Sequence, residues 1–310
     1  MTNENKRRAL VTGATRMQGG GVVQALLYGG HSVTAFVRNP ESAAAQALSC
    51  QGVALAIGNL EDSASLEDAS TGHDVVFSVQ LAGVDPADPG AEQRQARNIA
   101  TAAKQAGVTQ IIHTSVSGTG WRRRHPGYEQ GELFRAYWDG KEAAEAVVRQ
   151  SGIERWTIFK PAWYMDNLLP GKREDMLPEL HQLPEGKLVT SDGPQTALAL
   201  INADDLGAAV AAAVADPFPF HQAEIELAGD ALTHPEIADA ISAVANRTIT
   251  AVFQTPQEWE QVRGATQEGV RTWDDLVGYP ARPYHAAHYG LTTTTLKQWA
   301  ARQDWRIAEA

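Results

Sequence analysis

Through the first half of the chain, short runs of β-branched and aromatic residues alternate with Ala-rich stretches. Residues 9–12, 32–38, 53–58, 74–80, 110–115 and 156–160 read as six strands, the fourth marked by the apolar run Val75, Val76, Phe77 and Val79. Residues 19–28, closed by Gly29-Gly30, and residues 92–106, ending at Gly107, read as helices. Strands separated by helices in this rhythm need crossover connections. They predict an α/β fold with a doubly wound parallel sheet of Rossmann type.

The second half is less regular. Residues 198–202 and 224–228 look like further strands, and residues 292–302 like a last helix. Thr233-His-Pro-Glu236 and Thr255-Pro-Gln-Glu258 carry the spacing of capping boxes, with Pro in the first turn. The pattern divides the chain into a dinucleotide-binding domain, residues 1–160, and a smaller substrate lobe, residues 161–310, partly packed onto the same sheet. A cleft between them would lie at the carboxyl ends of the strands, where open α/β sheets take ligands.

Composition narrows the function. A chain of 310 residues, 43% hydrophobic, can bury a large core. Its net charge of −11 repels a nucleic-acid backbone. The one tight basic run, Arg122-Arg123-Arg124, reads as a solvated loop. The lone Cys50 excludes an intrachain disulfide and fits a reducing compartment. Nine histidines show no metal-binding spacing. Residues 1–8 do not read as a signal peptide, and no apolar run approaches a membrane span. The expectation is a cytoplasmic protein, monomer or homodimer, that meets a small molecule rather than nucleic acid or membrane.

The stretch Val11-Thr-Gly-Ala-Thr-Arg-Met-Gln-Gly-Gly-Gly21 follows the first strand and opens the first helix. Gly13 permits the tight turn, and Gly19 lets the helix start lie close to a pyrophosphate, whose charge meets the free N–H groups there. Arg16 stands where a GxxGxxG spacing would place its middle glycine, so its side chain either obstructs the pyrophosphate or swings out toward the adenosine ribose. Arg38 closes the second strand where NAD-specific sites usually carry Asp or Glu. A guanidinium there suits a 2′-phosphate, and with Arg16 it points to NADP(H) over NAD(H). The expected cofactor contacts are Gly13, Thr15, Arg16, Met17, Gln18, Gly19 and Arg38, then Asn59, Leu60 and Gln80 after the third and fourth strands, and Lys141.

Tyr137-Trp-Asp-Gly-Lys141 has YxxxK spacing, which on a helix puts both side chains on one face. A cationic Lys141 would lower the Tyr137 phenol, and Lys141 can also hold the nicotinamide ribose. Ser115, with Ser117 as the alternate, sits where a hydroxyl could steady a substrate carbonyl. Trp121, Trp138, Trp163, Tyr164 and Met165 could wall an aromatic pocket or simply fill the core. His113 reads as a packed strand residue, and Asp204 and Asp205 as helix caps.

These residues resemble those of the NmrA-like family of atypical short-chain dehydrogenase/reductases. The likeness runs over about residues 8–235, through VTGATRMQGG, VRNP, GNLED with its SLEDA helix, AAKQAGVTQIIHTSVSG, YWDGKEAAEAVVRQSGIERWTIFKPAWYMDN and INADDLGAAVAAAVADP. Arg16 departs from the family's usual glycine and matches the arginine in the turn of many NADP-dependent short-chain dehydrogenases. Asn59 replaces an Asp found in many relatives beside the adenine. The resemblance implies an NADPH-dependent reductase of a small carbonyl or conjugated, aromatic or polyketide-like substrate, with Tyr137 as proton donor. The family often lacks that tyrosine, so its presence beside Lys141 favours an enzyme. Two other classes stay open: a redox sensor that binds NADP(H) without turnover, and a non-redox cyclase or epimerase on the same scaffold.

Overall fold

The computed structural model describes residues 6–80, 88–126, 132–169, 180, 182–263 and 273–305. Its first half runs β1 (Arg8–Val11), α1 (Met17–Tyr28), β2 (Ser32–Val37), α2 (Ala43–Cys50), β3 (Ala54–Ile57), α3 (Ser63–Ser70) and β4 (Val75–Ser78). Then come α4 (Ala91–Gln105), β5 (Gln110–Thr114), α5 (Glu132–Arg149) and β6 (Arg155–Pro161). The second half adds β7 (Trp163–Tyr164), β8 (Lys187–Thr190), β9 (Ala197–Ile201), α6 (Ala203–Ala215), β10 (Ala223–Leu227) and β11 (Asp230–Thr233). It closes with α7 (His234–Ala245), β12 (Thr250–Phe253), α8 (Pro256–Arg263), α9 (Pro283–His288) and α10 (Leu296–Ala300).

The central sheet has seven strands in the order β10-β6-β5-β4-β1-β2-β3. Every pairing in it is parallel. This is the doubly wound α/β sheet that the strand–helix rhythm predicts. Successive residues of its inner strands turn to opposite faces, as the two-residue period requires. Val11, Phe77, Ile112 and Phe159 pack against α1 and α6. Leu10, Val76, Ile111 and Ile158 pack on the other side with Leu66, Ile99 and Val148 of α3, α4 and α5. The run of apolar residues that marked β4 is therefore a strand buried on both faces.

The second half shares the main sheet's core: β10 adds an edge strand, and α6 lies along α1. A Cβ on Gly21 would strike the carbonyl of Ala203, and one on Gly207 the carbonyl of Gly21. The two helices thus touch backbone to backbone through paired glycines. A third apolar cluster, including Met165, Leu200, Ile237, Ile241, Leu296 and Trp299, lies under the small sheet β11-β9-β7. Among the described residues no helix is long and apolar enough to cross a membrane.

Both capping boxes form. The Thr233 and Thr255 amides donate to Glu236 and Glu258 at 2.8 and 2.7 Å. Two expectations shift. The last helix begins at Leu296 rather than residue 292, because the Thr294 amide and hydroxyl are taken by Asp205 at 2.6 and 2.8 Å and Thr295 serves as the cap. The cap of α6 is Asn202, whose side chain accepts from the Asp205 amide at 2.9 Å, not Asp204 or Asp205.

Candidate functional site

The glycine-rich turn sits at the carboxyl end of β1. Gly13 has φ +62°, and a Cβ there would lie 2.6 Å from Val79. Its carbonyl accepts the Arg16 amide at 2.9 Å, which closes the turn. A Cβ on Gly19 would run into the Gly13 carbonyl, so this glycine lets α1 press onto the turn's own backbone. The sequence had suggested ligand clearance instead. Arg16 is the N-cap of α1 and makes no side-chain cap bond, and no acidic residue lies in the first turn. The helix start therefore keeps unsatisfied amides and their positive potential at the carboxyl end of the sheet.

Thr15, Arg16 and Arg38 are exposed. Neither arginine has an ion-pair partner among the described residues. An unpaired guanidinium on each side of the first crossover fits a phosphate monoester. Met17 packs against the α1-side core. Gln18 accepts from the Thr114 hydroxyl at 3.1 Å, bridging α1 to the end of β5. The exposed Asn59 spends its side-chain oxygen on the Glu61 amide at 3.1 Å. The Leu60 carbonyl accepts from Asn98 at 2.9 Å while its side chain packs on the α4 side of the sheet. Gln80 is buried; its amide nitrogen donates to Ser78 at 2.8 Å, and its side-chain oxygen has no hydrogen-bond partner among the described residues.

On α5, Tyr137, Lys141, Glu145 and Arg149 recur every four residues and share one face. Lys141 is buried, its Nζ 2.7 Å from Glu92 Oε1 in the first turn of α4 and 5.8 Å from the centre of the Tyr137 ring. Gly140 makes room for this pair, since a Cβ there would stand 3.2 Å from Glu92 Oε2. A glycine inside a helix costs about 0.5–1 kcal/mol relative to Ala.

The Tyr137 phenol is held above its ordinary range. Burial raises it, Lys141 pulls it down and Glu92 pushes it up. The lowering that the YxxxK spacing predicts is thus outweighed. Lys141 is also raised: burial works against its charge, but Glu92 with Tyr137 and Glu145 prevails.

Ser115 donates to Glu145 Oε1 at 2.7 Å, as does Thr119. Glu145 also pairs with Arg149 at 2.6 Å and Lys160 at 3.3 Å, and Lys160 reaches Glu224 at 2.6 Å. The one Ser115 proton is therefore committed to a carboxylate, a stronger acceptor than a substrate carbonyl. Ser117 accepts from the Ala281 amide at 3.2 Å. Gly118 follows with φ +94°, and a Cβ on it would meet Trp273 and Pro280 at 3.3 Å.

Trp121 and Trp138 are fully buried and pack with Trp273 and the half-buried Tyr137 and Tyr279. The Trp138 and Trp273 rings lie 4.9 Å apart, and those of Trp273 and Tyr279 5.0 Å apart. Trp121 and Trp138 are core residues. Met165 is core too, and Trp163 packs beside it. Tyr164 is buried on the α1 side. The basic run is more than a solvated loop: Arg122 binds Asp139 at 2.6 Å and covers Trp121. His113 is packed, as expected. Its Nδ1 donates to the Ser78 carbonyl at 3.0 Å, and burial brings its pKa down to about 3. Sequence reading missed Glu92, Glu145, Trp273 and Tyr279, which no local spacing ties to Tyr137 and Lys141. The glycine at position 140, inside a strong helix pattern, was the one available sign of a close neighbour.

Comparison with known proteins matches the NmrA-like family model over residues 5–272. The chain is 30% identical over 258 residues to an NAD(P)H azoreductase of Xenophilus azovorans, covering 81% of this chain and 79% of that one. It is 27% identical to quinone oxidoreductase 2 of Escherichia coli (strain K12), over 77% of this chain and 75% of that one. Among solved structures, the Citrobacter sp. triphenylmethane reductase complexed with NADP(H) superposes with a TM-score of 0.72 at 20% identity, covering 95% of this chain and 99% of that one. With the family model matched along most of its length, and a relative 30% identical over four-fifths of it, this chain belongs to the NmrA-like family.

Proposed function

We propose that this protein is an NADP(H)-dependent reductase of small carbonyl or conjugated compounds, aromatic or polyketide-like in shape, working by chemistry of the short-chain dehydrogenase/reductase kind. The observation that carries the reading is the Tyr137–Lys141 pair on adjacent turns of α5, with the ammonium 5.8 Å from the phenol ring centre. The names of the azoreductase and the quinone oxidoreductase support the same reaction class.

In this reading residues 1–160 hold the cofactor and residues 161–310 supply the substrate side. The uncapped start of α1, with Gly13, Thr15, Met17, Gln18 and Gly19, receives the pyrophosphate. Arg16 and Arg38 take the 2′-phosphate, Asn59 and Leu60 border the adenine, and Gln80 and Lys141 reach the nicotinamide half. When bound, NADPH supplies a hydride. Tyr137 supplies the proton: for each hydride the substrate takes up, one proton leaves the phenol, Lys141 steadies the phenolate, and water restores the proton. A phenol held above its ordinary range is protonated at neutral pH and holds that proton more tightly than a free phenol, so its transfer relies on Lys141 to steady the phenolate. Ser115 serves the site at one remove by holding Glu145.

The test is NADPH consumption over a panel of quinones, azo dyes, triarylmethane dyes and enones, beside calorimetry with NADPH and NADH. Turnover with NADPH and tighter binding of NADPH are expected. Tight cofactor binding with no consumption across the panel would overturn the reductase reading.

A further inference from the structure

Lys141 has two neighbours with opposite consequences. A lone buried ammonium beside a phenol favours the phenolate, the form that takes a proton from an alcohol. Here the ammonium is matched by Glu92, itself buried and 2.7 Å away on a different helix. The match is built into the packing: a Cβ at Gly140 would stand 3.2 Å from Glu92 Oε2, so a side chain there would press on the carboxylate.

We infer that Glu92 is a positioning residue that keeps the Tyr137–Lys141 pair fully protonated and so sets the site as a proton donor for reduction. The inference rests on the reductase reading above. Glu92 acts through Lys141, not on the substrate. Taking one proton from the phenol–ammonium pair leaves it net neutral, and a carboxylate beside it opposes that loss whichever group gives up the proton.

The other groups facing the pair leave this balance in place. Glu145 on α5 faces Lys141 but is itself bound by Arg149 and Lys160. His113 on β5 is kept neutral by burial. Tyr164 on β7 and Tyr279, the other phenols that face Tyr137, are held protonated by burial. Glu92 is thus the negative group in direct contact with the ammonium.

The experiment uses cofactor-free protein with carbon-13 at lysine Cε, the Lys141 signal being assigned by its loss in Lys141→Arg. In Glu92→Gln the titration of this signal should move down by about one pH unit or more. Glu92→Asp should move it less, and Gly140→Ala, which crowds the carboxylate, should move it the same way. In the active enzyme, the alkaline limb of NADPH oxidation should fall by the same amount in Glu92→Gln. An unmoved titration and an unmoved limb, with activity or stability reduced evenly at all pH, would overturn the inference and leave Glu92 a packing residue. Should Glu92→Gln not fold, the Glu92→Asp and Gly140→Ala titrations decide it. Absence of turnover in the parent would refute the reductase reading alone, since the lysine titration needs no substrate.

Discussion

His113 offers a measurement of how strongly the interior beneath the site resists charge. The ring is fully buried in β5, its Nδ1 donating to the Ser78 carbonyl at 3.0 Å and its Nε2 without a hydrogen-bond partner among the described residues. Burial, then Lys141, hold its pKa at about 3 in the folded protein. Unfolding returns it to roughly 6.5. Between those values the unfolded chain binds a proton that the folded chain does not. The stabilisation is therefore complete above the unfolded value and is lost as pH falls through the window toward the folded one. At about 1.36 kcal/mol per pH unit, the fall from pH 6.5 to pH 5 removes about 2 kcal/mol. His234, brought down to about 4 by burial, adds a loss of the same sign. His113→Asn keeps a donor near the Nδ1 position and removes the titration. Urea unfolding at about pH 7.5 and about pH 5 should show the variant losing about 2 kcal/mol less than the parent between the two conditions, whatever its offset at the higher pH. Parallel losses in the two proteins would mean that His113 is no harder to charge folded than unfolded.

The remaining expectations concern the site and the frame that holds it. Tyr137→Phe removes a hydroxyl and keeps the ring packed on Trp138, so single-turnover NADPH oxidation should fall by roughly 10²–10⁴ with cofactor affinity nearly unchanged. Full activity in that variant would move the proton donor elsewhere. Arg38→Ala should cost NADPH about 1.5–3 kcal/mol of binding and leave NADH unaffected, by calorimetry, and equal losses for both cofactors would reject a 2′-phosphate contact. Gly21→Ala drives a methyl into the Ala203 carbonyl. It should destabilise the fold by about 1–3 kcal/mol in thermal or urea unfolding, and a neutral result would show that α1 and α6 can separate at no cost.

The sequence by itself was enough for the features whose partners lie close along the chain. Strand periodicity, the glycine turn into α1, the two Thr–Glu capping boxes and the shared face of Tyr137 and Lys141 all depend on spacings of two to six residues. Local backbone geometry therefore settles them before any packing occurs. The strand–helix rhythm was likewise enough for a parallel sheet, because parallel neighbours need a crossover. What depended on distant partners was decided only by the tertiary structure. Lys141 meets Glu92 from 49 positions away, Ser115 meets Glu145 from 30, and Ser117 meets the Ala281 amide from 164. No spacing announces such pairs. The same holds for the tryptophans, which the sequence allowed as pocket or core and which Trp273 drew into the core. The phenol of Tyr137 shows why this matters for chemistry. Its helical neighbour Lys141 pulls its pKa down, but burial and a carboxylate on another helix act over distances that exist only once the chain has folded, and they prevail.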